Sequence, residues 1–310
     1  MSANKTPPLP GIRGVLAPVV TPFKNDLEPD ADAFLEHCQW LLRNEVSLAV
    51  FGTNSEATSL SLDERIGLTE HLLEAGVPAR RLMPGTGCCA LPDTVRLTRH
   101  AVQAGAAGVL VLPPFYYKGV SDEGLFRYFS EVIERVADDR LRMYLYHFPA
   151  MSAVPLSLTL IERLLARYPG IVAGMKDSTG DWASARAYIE AFGKDGFDVF
   201  PGSELLLLEG MRAGAAGCIS ATANVNPDGI YAVYNQWDAD GADALNRKMS
   251  EIRKTFQRHP MIAAMKHVIA QHRGQPSWRN VRPPLTALSS TAASELAQQL
   301  EKIDYQWSRT

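Results

Sequence analysis

The chain has 310 residues, 46% of them hydrophobic and 21% charged, which provides apolar material for a large buried core and excludes a disordered polyelectrolyte. Lys and Arg number 31 against 34 Asp and Glu, a net charge of -3, so neither nucleic acid nor an anionic membrane is favoured as a partner. Four cysteines, with Cys88-Cys89 adjacent rather than spaced as C-x-x-C, suggest a reducing cytoplasm and no disulfide framework, zinc site or redox motif.

From the N-terminus, MSANKTPPLPG carries three prolines and no apolar core segment, and it reads as a surface arm rather than a signal peptide. No run is long and apolar enough to span a bilayer. Eight short apolar runs follow, each ending in Gly, Thr, Ser or Pro: VLAPVVTPF (15–23), LAVFGTNSE (48–56), LMPGTG (82–87), GVLVLPPF (108–115), RMYLYHFP (142–149), IVAGMKDS (171–178), FDVFPGS (197–203) and GCISATAN (217–224). Their starts lie 20 to 34 residues apart, the length of a strand, a helix and two loops. Between them stand helix signals: a capping box at Ser61-Leu62-Asp63-Glu64, a cap at Ser121, and stop glycines at Gly76, Gly105, Gly170 and Gly214.

Continuous rather than alternating hydrophobicity argues for parallel strands covered by helices. Eight uninterrupted units predict a (β/α)8 TIM barrel over an open doubly wound sheet. Pro18 inside the first run would remove a ladder donor. After Asn224 the pattern is helical, which predicts three additional C-terminal helices packed on the barrel. The expected organisation is an arm at 1–10, the barrel at 11–225 and a helical extension at 226–310.

Barrels of this kind build their sites at the C-terminal ends of the strands. Metal chemistry fares poorly there, because His147 is the sole histidine among those ends and no carboxylates cluster. His37, His71, His100, His267 and His272 fall in helical segments, where a solvated or capping role is expected. Lys176 is different. At the end of an apolar strand its side chain enters the barrel mouth, where desolvation favours the neutral, nucleophilic amine, and a ketone is the matching electrophile. The alternative is a lysine that merely pairs with Asp177. Tyr146, on the neighbouring strand, offers a phenol for proton transfer, with Tyr144 as a packed aromatic on the same face. Gly52-Thr53-Asn54-Ser55-Glu56 combines hydroxyls and free backbone N–H groups in a turn suited to a carboxylate.

GTNSEATSLSLDER, PPFYYKGVSDEGL, YHFP, GMKDSTGD and SATANVNP, in this order, resemble the family of dihydrodipicolinate synthase and N-acetylneuraminate lyase from about Gly11 through the C-terminal helices. The resemblance implies a class I, pyruvate-handling lyase or aldolase with a Schiff-base lysine and neither metal nor organic cofactor. It makes Lys176 the imine former, Tyr146 the proton-transfer phenol and Thr53 the hydroxyl linking tyrosine to substrate carboxylate, with Asn54 and Gly52 beside it. Tyr116, with Tyr117 as competitor, matches a tyrosine lent by a neighbouring subunit, which implies a homodimer or homotetramer. Gly202 and Ile219 match positions whose backbone lines the pyruvate pocket.

The chain also departs from the family pattern. Met151 stands where the synthases place a carboxylate-binding arginine, and a thioether cannot replace a bidentate guanidinium. Thr53-Asn54 resembles the Ser-Asn pair of 4-hydroxy-2-oxoglutarate aldolases, and His147 stands where Asn is usual. Glu204 either bonds a hydroxylated substrate or faces solvent. The expected reaction is reversible cleavage of a 4-hydroxy-2-oxo acid to pyruvate and an aldehyde. Dihydrodipicolinate synthase chemistry, a 2-oxo sugar acid dehydratase using the same imine, and a non-catalytic 2-oxo acid binding barrel are the alternatives. A phosphate-binding isomerase lacks its glycine-rich loop. Cys88 and Cys89 lie near the expected mouth without a task.

Overall fold

The computed structural model describes residues 11–308. Its strands are β1 (Gly14–Ala17), β2 (Ser47–Leu48), β3 (Val109–Val111), β4 (Met143–His147), β5 (Val172–Asp177), β6 (Asp198–Pro201) and β7 (Gly217–Ile219), paired in parallel as β2-β1-β7 and β3-β4-β5-β6. The predicted run at 82–87 makes only isolated bridges, Leu48 with Leu82 and Gly85 with Leu110, and these join the two sheets. It contains Pro84, which has no N–H to donate. A Cβ on Gly85 would lie 2.3 Å from the Phe51 carbonyl oxygen, and one on Gly87 would lie 2.4 Å from the Leu112 nitrogen, so glycine alone lets the neighbouring backbones approach this closely.

On the opposite side, Ala216 N donates to Val199 O at 3.0 Å and Gly14 N donates to Ala216 O at 2.8 Å, which closes the ring. The eight segments thus form the expected (β/α)8 barrel. Pro18 costs no ladder bond, because β1 ends at Ala17 and the Pro18 carbonyl accepts from Asn224 Nδ2 at 3.1 Å.

A helix follows each barrel segment, from Ala31–Arg43 through Leu207–Ala213 to Pro227–Asn235, and β4 is followed by a short extra one, Pro149–Ser152, before Leu158–Arg167. The Ser61 box forms, with Glu64 N on Ser61 Oγ at 3.1 Å and Ser61 N on Glu64 Oε2 at 2.7 Å, and Ser121 accepts from Gly124 N at 3.2 Å. Gly214, at φ 102°, ends Leu207–Ala213 in the left-handed region. Beyond Asn224, Pro227–Asn235 precedes the three expected additional helices, Ala242–Phe256, Met261–Arg273 and Ser290–Lys302. Pro227–Asn235 escapes sequence reading because it opens on Pro-Asp-Gly, a turn signature. It serves as the eighth barrel helix, with the Tyr234 ring packed over Gly14.

Burial has two layers. Outward-facing strand residues such as Leu145, Met175 and Val199 pack under the helices, while Leu16, Met83, Leu110, Tyr144, Tyr146 and Phe200 fill the interior. Tyr144 is the packed aromatic of the expected pair. Its ring fits because Gly108 and Gly174 flank it, where added Cβ atoms would come within 2.6 and 2.8 Å of it. Its hydroxyl reaches Asp198 Oδ2 at 3.4 Å, and Asp198 in turn pairs with Arg13 at 2.7 Å.

Candidate active site

In the β4–β5 register, Tyr146 stands opposite Lys176 and His147 opposite Asp177. Successive side chains on a strand point to opposite faces, so the first pair enters the barrel and the second faces the helices. Lys176 is 3% exposed, and its Nζ donates to Tyr146 Oη at 3.3 Å while lying 4.4 Å from the ring centroid. Tyr146 Oη shares a 3.2 Å hydrogen bond with Thr53 Oγ1. Three separate segments therefore supply one chain of amine, phenol and hydroxyl. Asp177 is turned outward, where it accepts from Thr179, so the alternative of a Lys176–Asp177 pair is not realised.

Thr53 occupies a 3₁₀ turn, Thr53–Ser55, with Gly52 N on Ser55 Oγ at 3.2 Å and Thr21 Oγ1 on Ser55 O at 2.7 Å. Glu56 closes the turn at φ 57°, a conformation uncommon outside glycine. Its carboxylate holds Lys266 Nζ at 2.7 Å, both side chains fully buried, and accepts from Arg282 N at 2.9 Å. Burial pulls the Lys266 ammonium down to about 8, against the raising effect of Glu56. Arg282 also reaches Ser59 O at 2.6 Å and pairs with Glu64. Sequence reading assigned Lys266 and Arg282 no part. The signal for Lys266 was a lysine enclosed in MIAAMKHVIA, where His267 is the only other polar residue.

A cavity of about 440 Å³ opens above these groups, and Thr53, Asn54, Tyr146, Lys176, Gly202 and Arg253 are among its lining residues. Five of the expected residues converge there. Gly202 is required, because a Cβ would lie 2.2 Å from Ser178 Oγ. A smaller, apolar cavity of about 220 Å³ shares Thr53 and Tyr146 with the first and is bounded by Gly52, Phe115 and Met151. Met151 stands at its rim, 62% exposed.

Four of the expected residues line neither cavity. His147 is 5% exposed but sits outside the barrel, its Nδ1 facing Asp177 Oδ1 at 3.2 Å and Tyr188 Oη at 3.3 Å; strand alternation removes it from substrate reach. Burial, with Asp177 adding, pushes the Tyr188 phenol up to about 12. Glu204 faces neither solvent nor the cavity: it is fully buried, accepts the Ser220 hydroxyl, and lies 3.3 Å from Arg253 Nη1. Ile219 is fully buried in the interior cluster and is not among the cavity-lining residues. Tyr116 is 75% exposed, its ring edge-on against Tyr117, and among the described residues it bonds neither Thr53 nor Tyr146. Cys88 accepts weakly from Arg65 Nη1 at 3.5 Å, burial pushes its thiol up, and neither it nor the exposed Cys89 lines either cavity.

A parallel barrel with a buried lysine held against a tyrosine at its mouth is the framework of a class I aldolase or lyase, and this chain is an enzyme of that class. It belongs to the Dihydrodipicolinate synthetase family, which it matches over residues 11–303. An uncharacterized DapA-like lyase of Chloroflexus aurantiacus is 31% identical over 94% of this chain and 97% of its own length. The 4-hydroxy-tetrahydrodipicolinate synthase of Rhizobium meliloti is 30% identical over 92% of this chain and 96% of its own. Among solved structures, dihydrodipicolinate synthase from Agrobacterium tumefaciens superposes with a TM-score of 0.87 at 31% identity, covering 94% and 99% of the two chains. A prophage protein of the same family from E. coli K12, in complex with pyruvate, gives 0.85 at 27% identity, covering 95% and 99%. No helix among the described residues is long and apolar enough to cross a membrane.

Proposed function

We propose that the enzyme reversibly cleaves a 4-hydroxy-2-oxo acid to pyruvate and an aldehyde through an imine on Lys176. The free amine adds to the C2 carbonyl and water leaves, giving a protonated imine. Tyr146 takes the proton of the C4 hydroxyl, the C3–C4 bond breaks, and its electron pair moves to the imine nitrogen as an enamine while the aldehyde departs. Protonation at C3 and hydrolysis then release pyruvate and the amine. Thr53 relays the proton from Tyr146 and, with Asn54 and the turn's N–H groups, receives the substrate carboxylate. The observation that carries this reading is the buried contact of Lys176 Nζ with Tyr146 Oη at 3.3 Å.

The synthase reaction is disfavoured, since the position expected to hold a guanidinium is Met151, at a cavity rim. Tyr116 enters the relay from a second copy, because its own chain leaves it on the surface; a homodimer is the smallest assembly that provides this.

Borohydride reduction in the presence of pyruvate tests the imine. The peptide holding Lys176 should gain a reduced three-carbon adduct, and Lys176→Met should abolish it. Tyr146→Phe should still be trapped while kcat falls about 10²- to 10⁴-fold, the range for loss of a general acid–base group. An unmodified Lys176 peptide in the native enzyme removes the mechanism.

A further inference from the structure

Part of the cavity wall comes from outside the barrel. Arg253, Gln257 and Met261 run from helix Ala242–Phe256 into the start of Met261–Arg273, and all three line the space above Lys176. The Arg253 side chain is only 9% exposed, yet its guanidinium is far from saturated. Glu204 Oε2 lies 3.3 Å from Nη1 without hydrogen-bond geometry, and that oxygen already accepts from Ser220. Arg253 Nε and Nη1 have no hydrogen-bond acceptor, and neither does Glu204 Oε1 have a donor. A guanidinium presents five donors in a planar fork, and leaving them unmet at this depth is costly unless another acceptor arrives.

Among the residues lining the cavity, Lys176 and Arg253 are the only charged ones; no carboxylate faces the space. Lys176 and Arg253 therefore face the same space at the barrel mouth. Imine formation accounts for one of them. The other is matched in shape and charge to a carboxylate.

We propose that Arg253 determines specificity, and that the 2-oxo acid cleaved here carries a second carboxylate, on the half that leaves as the aldehyde, gripped by the Arg253 fork. This rests on the imine reading for the position of the substrate's first three carbons. A neutral, hydroxylated tail would offer the fork only single, uncharged acceptors in place of a bidentate anion. Glu204 and Ser220 act through Arg253, holding it from behind.

The test uses 2-oxo acids that lack a 4-hydroxyl and so cannot be cleaved. 2-Oxoglutarate and 2-oxoadipate carry the distal carboxylate, whereas 2-oxopentanoate and 2-oxohexanoate match their lengths without it. Half-saturation of borohydride trapping at Lys176 should favour the diacid in at least one pair by about 10- to 100-fold, the range of a charge-assisted hydrogen bond. Arg253→Met should erase that preference while pyruvate, which has no distal group, is still trapped; Arg253→Lys should keep part of it. The double variant Arg253→Met with Glu204→Gln removes the stranded carboxylate and should behave as the single one. Equal half-saturation within both pairs for the native enzyme, or a preference that survives Arg253→Met, overturns the proposal. If pyruvate itself is not trapped, the imine reading falls, and calorimetric titration of the same four acids into unreduced protein decides the role of Arg253 separately.

Discussion

His37 is fully buried between two polar neighbours that fix its charge. Its Nδ1 lies 3.4 Å from Arg273 Nη2 and its Nε2 lies 3.2 Å from Asn224 Oδ1. Arginine can only donate, so Nδ1 accepts and Nε2–H donates, and the ring is neutral. Burial, reinforced by the Arg273 charge and opposed by the Asn224 bond, takes its protonation down from 6.5 to about 3. The unfolded chain thus binds the proton first on acidification. The stabilisation is complete above about pH 6.5 and is lost as pH falls toward 3, at roughly 1.4 kcal/mol per unit. Urea unfolding should therefore show His37→Gln losing about 2 kcal/mol less than the native chain between pH 7 and pH 5; parallel losses would refute the assignment. Sequence reading gave His37 a solvated or capping role in a helical segment. Nothing local betrays its burial, because Arg273 and Asn224 arrive from more than 180 positions away.

Elements were more legible than single side chains. Strand ends are local: an apolar run stopped by Gly, Pro or Ser announces itself, and alternation then decides that Lys176 and Tyr146 face inward. The same alternation, applied one residue further, would have turned His147 outward. The turn at Thr53–Ser55 was visible as GTNSE, but what holds it was not, since the Glu56 partners lie 210 and 226 positions downstream. Breaking a buried pair strands one charge, at a cost of about 3–5 kcal/mol. Glu56→Gln and Lys266→Met should each lose stability on that scale in thermal melts, and the double variant should recover much of it. Trapping at Lys176 in the double variant, with a raised half-saturation for pyruvate, would tie the pair to the posture of Thr53. An additive double variant would mean that the two side chains do not act as a unit.

At the scale of the whole molecule, Tyr116 and Tyr117 are 75% and 72% exposed, and Met151 is 62% exposed. The two tyrosine rings meet edge-on at 5.6 Å and form one exposed aromatic patch. If Tyr116 completes a neighbour's relay, chains carrying Lys176→Met and chains carrying Tyr116→Phe, refolded together, should yield activity above that of either parent. Mixed assemblies no more active than the parents would place Tyr116 outside the reaction.

The seam of the ring has a consequence for how the molecule comes into being. β1 pairs with β7, and Val20 N meets Asn224 Oδ1 across 204 positions, so the first strand finds its last partner only when nearly three-quarters of the polypeptide has left the ribosome. Until then β1 and β6 present bare edges, the kind of surface along which immature chains adhere to one another. Completion of the ring is a late event in synthesis, and the nascent chain, rather than the finished enzyme, is the form most in need of a chaperone.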